Sequence, residues 1–138
     1  MKKSKLIVLA IFIFVLNIIW EFSHYRLYID LTGIPSTINL IIASFTDLIL
    51  ISFIFLIISI FRRNIAWIEN PNKADYFIIV VMGFLIAALI EIFSVSNNRW
   101  NYTELMPTIF GIGVSPLIQL FSTAIISSWL AGFFTRTE

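Results

Sequence analysis

Long apolar runs separated by short charged connectors constrain this chain more than any other feature. Ile38 to Phe61 is nearly all Ile, Leu and Phe, interrupted mainly by Ser44, Thr46, Asp47, Ser52 and Ser59, and ends at Arg62 and Arg63. At about 1.5 Å of rise per residue such a run crosses roughly 30 Å of hydrocarbon as a helix. Three similar runs are present, so the spacing predicts an all-α transmembrane four-helix bundle. The spans are expected at about 5–28, 38–61, 76–95 and 108–134, and residues 1–138 form one integral membrane domain. Only 12% of the 138 residues are charged and 59% are hydrophobic, with a mean hydropathy of +0.97. No stretch is polar enough for a soluble domain or a disordered tail.

Local signals set the boundaries. Met1 to Lys5 followed by Leu6 to Leu16 has the charged and apolar parts of a secretory signal peptide. The run ends in Asn17, Trp20 and Glu21 with no small-x-small cleavage pattern, so a retained first span is expected. Gly33 and Pro35 should end it, Ser36 or Thr37 can cap the second span, and Asp75 the third. Trp67 suits the headgroup layer, and Pro107 should open the fourth span at a favoured first-turn position. Lys2, Lys3, Lys5, Arg62, Arg63, Lys73 and Arg136 fall on one side and only Arg26 and Arg99 on the other. The positive-inside rule therefore predicts cytoplasmic termini, N-in and C-in, with the first and third connectors outside.

Composition also excludes chemistry. The chain has no cysteine, which removes thiol redox relays, thiolate metal sites and a lipoprotein anchor. A net charge of +1 with no basic stripe gives no footprint for nucleic acid.

The polar residues inside the spans are the functional signal. Asn17, Glu21, His24 and Tyr28 recur at i, i+4, i+7 and i+11, forming one stripe on the first helix. Asn39, Ala43 and Asp47 share a face of the second helix, Gly83, Ala87, Glu91 and Ser94 of the third, and Gly111, Ser115, Gln119 and Ser122 of the fourth. A charged residue at the centre of a span costs about 2.5–3.5 kcal/mol on insertion scales, so Glu21, Asp47 and Glu91 should face one another in the outer half of the bundle. Small residues beside them allow close helix approach.

Glu21, His24, Asp47 and Glu91 are accordingly the candidate catalytic residues. Asn17, Trp20, Tyr28, Arg99, Trp100, Tyr102 and Gln119 are the candidate binding residues, with Arg99 to Tyr102 roofing the pocket. Glu21-x-x-His24 has the spacing used by carboxylate-bridged metal bundles, but there is one histidine in the chain, so no metal is assigned. The cofactor is unknown. The same residues suit three classes of function. The first is acid–base chemistry on a lipid-like or isoprenoid molecule; the second is a proton- or ion-coupled path, with a homodimer to enclose it; the third is a non-catalytic subunit beside a membrane-protein partner. No nucleophile elbow, phosphate loop or zinc-protease helix occurs.

Two strings carry a resemblance. Asn17-x-x-Trp20-Glu21 with Tyr28, and Arg99-Trp100-x-Tyr102-x-x-x-Met106-Pro107 leading to Gly111-x-Gly113-x-Ser115-Pro116-Leu117-x-Gln119, resemble small four-span bacterial inner-membrane proteins to which no activity is attached. That resemblance implies an inner-membrane location. Trp100-x-Tyr102 and the later Gly-Pro-polar stretch are also similar to the small membrane subunits of heterodimeric carotenoid cyclases, which implies a lipid substrate. That family relies on acidic motifs, whereas Gln119 follows the proline here and no Glu-Glu pair occurs.

Overall fold

A computed structural model of the chain describes residues 3–29 and 36–134. Four helices make up the bundle: α1 (Lys3–His24), α2 (Ser36–Arg62), α3 (Lys73–Ser96) and α4 (Val114–Phe134). A 3₁₀ turn, Tyr25–Leu27, tightens the exit of α1. The helical segments Ser4–Leu27, Ser36–Arg62, Lys73–Ser96 and Val114–Phe134 are each long and apolar enough to cross a membrane. The expected stop at Gly33 and Pro35, and the charges of Lys2 and Arg136, lie outside the described residues.

The ends of the bundle are tied differently. At one end the first and third connectors meet, Tyr28 bridging to Tyr102 with antiparallel geometry. Ile29 N–H donates to Asn101 O at 2.9 Å and Thr103 N–H to Leu27 O at 2.9 Å. At the other end Lys5 pairs with Glu69 at 3.2 Å, joining the start of α1 to the α2–α3 connector. Around the bundle α3 packs extensively on α4, α4 on α1 and α1 on α2, whereas the seam between the neighbours α2 and α3 is lightly packed.

Polarity divides the interior along its length. Leu9 and Ile13 of α1, Ile51, Ile54 and Ile58 of α2, Ile79 of α3 and Ala124 and Ala131 of α4 build an apolar core toward the terminal end. Asn17, His24, Glu91 and Gln119 are buried toward the connector end. Outward positions such as Ile11, Phe45, Phe53, Leu85 and Leu89 are exposed, as a lipid-facing surface requires.

Two boundaries differ from expectation. The third helix begins at Lys73 and is capped by Asn72, with Asp75 at the third helical position. Asn72 Oδ1 accepts from Asp75 N–H at 3.0 Å while Asp75 Oδ2 accepts from Asn72 N–H at 2.8 Å, a reciprocal capping box. Trp67, in the α2–α3 connector, is packed inward. It is 2% exposed, packs edge-on against Phe55 at 5.4 Å and donates its indole N–H to Ser59 Oγ at 2.9 Å. The largest difference concerns residues 108–113, which are not the start of α4. Thr108–Ile109 (β1) pairs antiparallel with Ile112–Gly113 (β2), and Phe110 and Gly111 both have positive φ, 51° and 79°, as the two-residue turn of a tight hairpin demands. Gly111 is therefore at a hairpin tip, off the polar stripe of α4. Pro107 precedes the hairpin, and its carbonyl accepts from Val114 N–H at 2.8 Å.

Close approach of α3 and α4 depends on Gly83. A Cβ there would meet Phe121 Cβ at 2.9 Å and Phe121 N at 3.0 Å, whereas one on Gly132 would meet nothing within 4 Å. Gly83→Ala should lower stability by about 1–3 kcal/mol, because the helices must part. Gly132→Ala should be neutral or mildly stabilising. Thermal unfolding of both variants in detergent checks the contrast.

Candidate functional site

The first polar centre is built around one amide. Helical periodicity places Asn17 and Glu21 one turn apart on α1, and Asp47 of α2 and Gln119 of α4 face them. Gln119 Nε2 lies 2.7 Å from Glu21 Oε1, 2.7 Å from Asp47 Oδ2 and 3.3 Å from Asn17 Oδ1. An amide nitrogen carries only two hydrogens, so three acceptors compete for two donors. Asn17 is fully buried. Its Nδ2 donates to Ile13 O at 2.9 Å, and Thr123 Oγ1 lies 3.3 Å from its Oδ1. This residue holds Gln119 in place.

Glu21 also reaches along its own helix to His24, Oε2 to Nε2 at 3.4 Å. The other ring nitrogen, Nδ1, shares a hydrogen bond of 2.7 Å with Ser115 Oγ at the start of α4. The imidazole thus links a carboxylate to a hydroxyl.

The second centre is Glu91 of α3, only 4% exposed. Three aromatic donors converge on it: Tyr28 OH at 3.4 Å, Trp100 Nε1 at 3.2 Å, and Tyr102 OH through a short bond. Burial first, and the bond to Glu91 second, hold the Tyr102 hydroxyl above the ordinary tyrosine range, so it remains a donor. Gly113 backs this arrangement. A Cβ there would meet Tyr102 Cε1 at 3.0 Å and Met106 Sδ at 3.1 Å, so only glycine lets β2 lie against the tyrosine ring. The hairpin that replaces the start of α4 thereby seats a ligand of Glu91.

Between the two centres lies a cavity of about 550 Å³. The four candidate catalytic residues, Glu21, His24, Asp47 and Glu91, all line it, as do Tyr28, Arg99, Trp100 and Gln119. Asn17, Trp20 and Tyr102 do not. Tyr102 holds Glu91 from behind, and Trp20 packs edge-on against His24 at 6.2 Å with its indole nitrogen unpartnered. The remaining wall is largely apolar, with Leu40, Ile42, Ala43 and Leu50 from α2 facing Ala87 and Ile90 from α3. Ile42 and Ile90 are also exposed on the outer surface, so the cavity meets the surface at the α2–α3 seam.

Sequence reasoning missed Tyr25, which lines the cavity. It follows Glu21 by four residues, the spacing of one helical turn, so the signal that could have found it lay beside the stripe. Ser115 is legible as a polar position on α4, but not its bond to His24. Arg99 lies over the Phe93 ring at 5.1 Å and makes no ion pair with an acid among the described residues. Among these residues no group of three or more His, Cys, Asp or Glu side chains is placed to hold a metal ion.

Compared with known proteins, the chain matches no family model, no curated protein and no solved structure, and neither family resemblance finds support there.

The two centres should respond oppositely to substitution. Glu91→Ala strips three donors of their acceptor and should cost about 1–3 kcal/mol for each one left buried. Asp47→Asn removes one of two carboxylates crowded on Gln119 and should leave the melting temperature unchanged or raise it. Scanning fluorimetry in detergent distinguishes the pair, and a Glu91→Ala protein as stable as the parent would contradict the assignment.

Proposed function

We propose that this multi-pass membrane protein binds an amphiphilic, lipid-like or isoprenoid molecule in the cavity between α2 and α3. The observation that carries this reading is the shape and lining of that space: an apolar wall at a lipid-facing seam leading to a polar end. A volume of about 550 Å³ falls in the range of small-molecule sites. Glu21, His24, Asp47 and Glu91 are the groups proposed to exchange protons with a bound molecule. His24 stands between Glu21 and Ser115, so a proton taken at one side can leave at the other.

The bundle interior argues against a path through a single chain. Toward the terminal end Ile13, Ile51, Ile54, Ile58 and Ile79 fill the core; the hydroxyls of Ser127 and Ser128 buried there carry no charge, and Asp75 is engaged in the capping box. A binding pocket closed at its inner end fits that layout better.

Native mass spectrometry of protein extracted from membranes should find a co-purifying amphiphile. Ala43→Trp, which fills the cavity, should abolish its retention while leaving the protein folded. Loss of nothing on filling the cavity would count against the reading.

We further propose an inner-membrane location with both termini cytoplasmic, on the distribution of Lys and Arg. The absence of cysteine makes this directly testable. With Asn98→Cys, a membrane-impermeant thiol reagent should label whole cells, and with Asn70→Cys only broken ones. The reverse pattern would invert the topology.

A further inference from the structure

We infer that the polar end of the bound molecule is an organic ammonium, so that the cavity selects a cationic amphiphile; this rests on the reading of the cavity as a ligand site. The first argument is charge. Glu21, Asp47 and Glu91 all line the space, and their partners are chiefly neutral: the Gln119 amide, two phenols and an indole. Neutral donors satisfy lone pairs but supply no countercharge, which a bound ammonium would provide. His24 is the one side chain among the described residues paired ionically with any of the three, and it touches only Glu21.

Two fixed cations are committed elsewhere. Lys5 pairs with Glu69 and Arg62 approaches Asp75 at 3.8 Å, both at the far end of the bundle. Arg99 stands at the cavity rim, but its guanidinium covers Phe93. A cation entering from outside therefore meets carboxyl groups without displacing an existing partner.

The second argument concerns the wall, and it discriminates between cations. Tyr25, Tyr28 and Trp100 line the cavity; Tyr28 and Trp100 both reach Glu91 and meet edge to face with centroids 6.2 Å apart. Aromatic rings set at an angle beside a carboxylate attract a soft, weakly hydrated ammonium through their negative faces. A small metal ion would need oxygen ligands gathered around one point, an arrangement absent among the described residues. Apolar side chains such as Leu40, Ile42 and Leu50 then accommodate a hydrocarbon chain leading to the seam.

Four probes added to the purified protein in nanodiscs test this by calorimetric titration: dodecyltrimethylammonium, dodecanol, dodecyl phosphate and tetramethylammonium. The long-chain cation should bind one to one and at least about tenfold tighter than the neutral and anionic chains, the factor expected of a single desolvated cation–ring contact. Glu91→Gln should erase that preference without changing dodecanol binding, and Asp47→Asn serves if the first variant does not fold. Equal affinity for the three long-chain probes would overturn the ammonium inference and leave the amphiphile reading intact. Failure of every long-chain probe to bind would overturn both. Tetramethylammonium binding as tightly as its long-chain counterpart would show a site for small cations and overturn the amphiphilic part.

Discussion

Hydrocarbon offers a carboxylate no partner, and the interior of this bundle follows from that fact. Each acid within a span must find its hydrogen bonds from another helix, so α1, α2 and α4 are joined at Gln119, and α3 is joined to the connectors at Glu91. Hydroxyls with lesser demands are satisfied within their own helices, Ser44 on Leu40 O and Ser59 on Phe55 O. Apolar side chains then fill the half that remains. The division into a polar end and a dry end follows from where the acids stand along the chain.

The two acidic centres are satisfied by different kinds of donor. At Gln119 acceptors outnumber donors, and two carboxyl groups face a single amide. At Glu91 three aromatic donors share the two oxygens, Tyr28 on Oε1 and Trp100 and Tyr102 on Oε2. One side of the cavity is thus firmly built, and the other holds excess acceptor capacity. A ligand with charge to offer meets carboxyl groups on both sides, and the aromatic side gives the space its shape.

Connectors complete what the helices begin. Without the bridge of Tyr28 to Tyr102, and the glycine of β2 behind the Tyr102 ring, Glu91 would keep few of its donors. The loop before α4 is therefore part of the site's framework. Its hairpin also shortens α4 to 21 residues, Val114–Phe134, about the length needed to cross the bilayer. The α2–α3 seam, by contrast, is lightly packed, and that is where the cavity reaches the surface.

Number and length of the spans were legible in the sequence because apolar runs and their charged ends are local properties, each decided within one segment. That Glu21, Asp47 and Glu91 turn inward to one cavity was legible for a similar reason, since an acid facing lipid is costly wherever it stands within the hydrocarbon. Which residues would meet was not. Periodicity ranks positions around one helix but holds no information on a neighbour's rotation, so the shared contacts of Gln119, and of His24 with Ser115, required the packed bundle. The hairpin at Thr108–Gly113 escaped for a different reason: Pro107 before an apolar run reads as a helix start, and only the positive φ of Phe110 and Gly111 turns the chain back. The sequence by itself determined a membrane-spanning helical chain with acids that must be hidden; tertiary structure decided where they gather, because side-chain partnership across helices depends on relative rotation and height, which no single segment encodes.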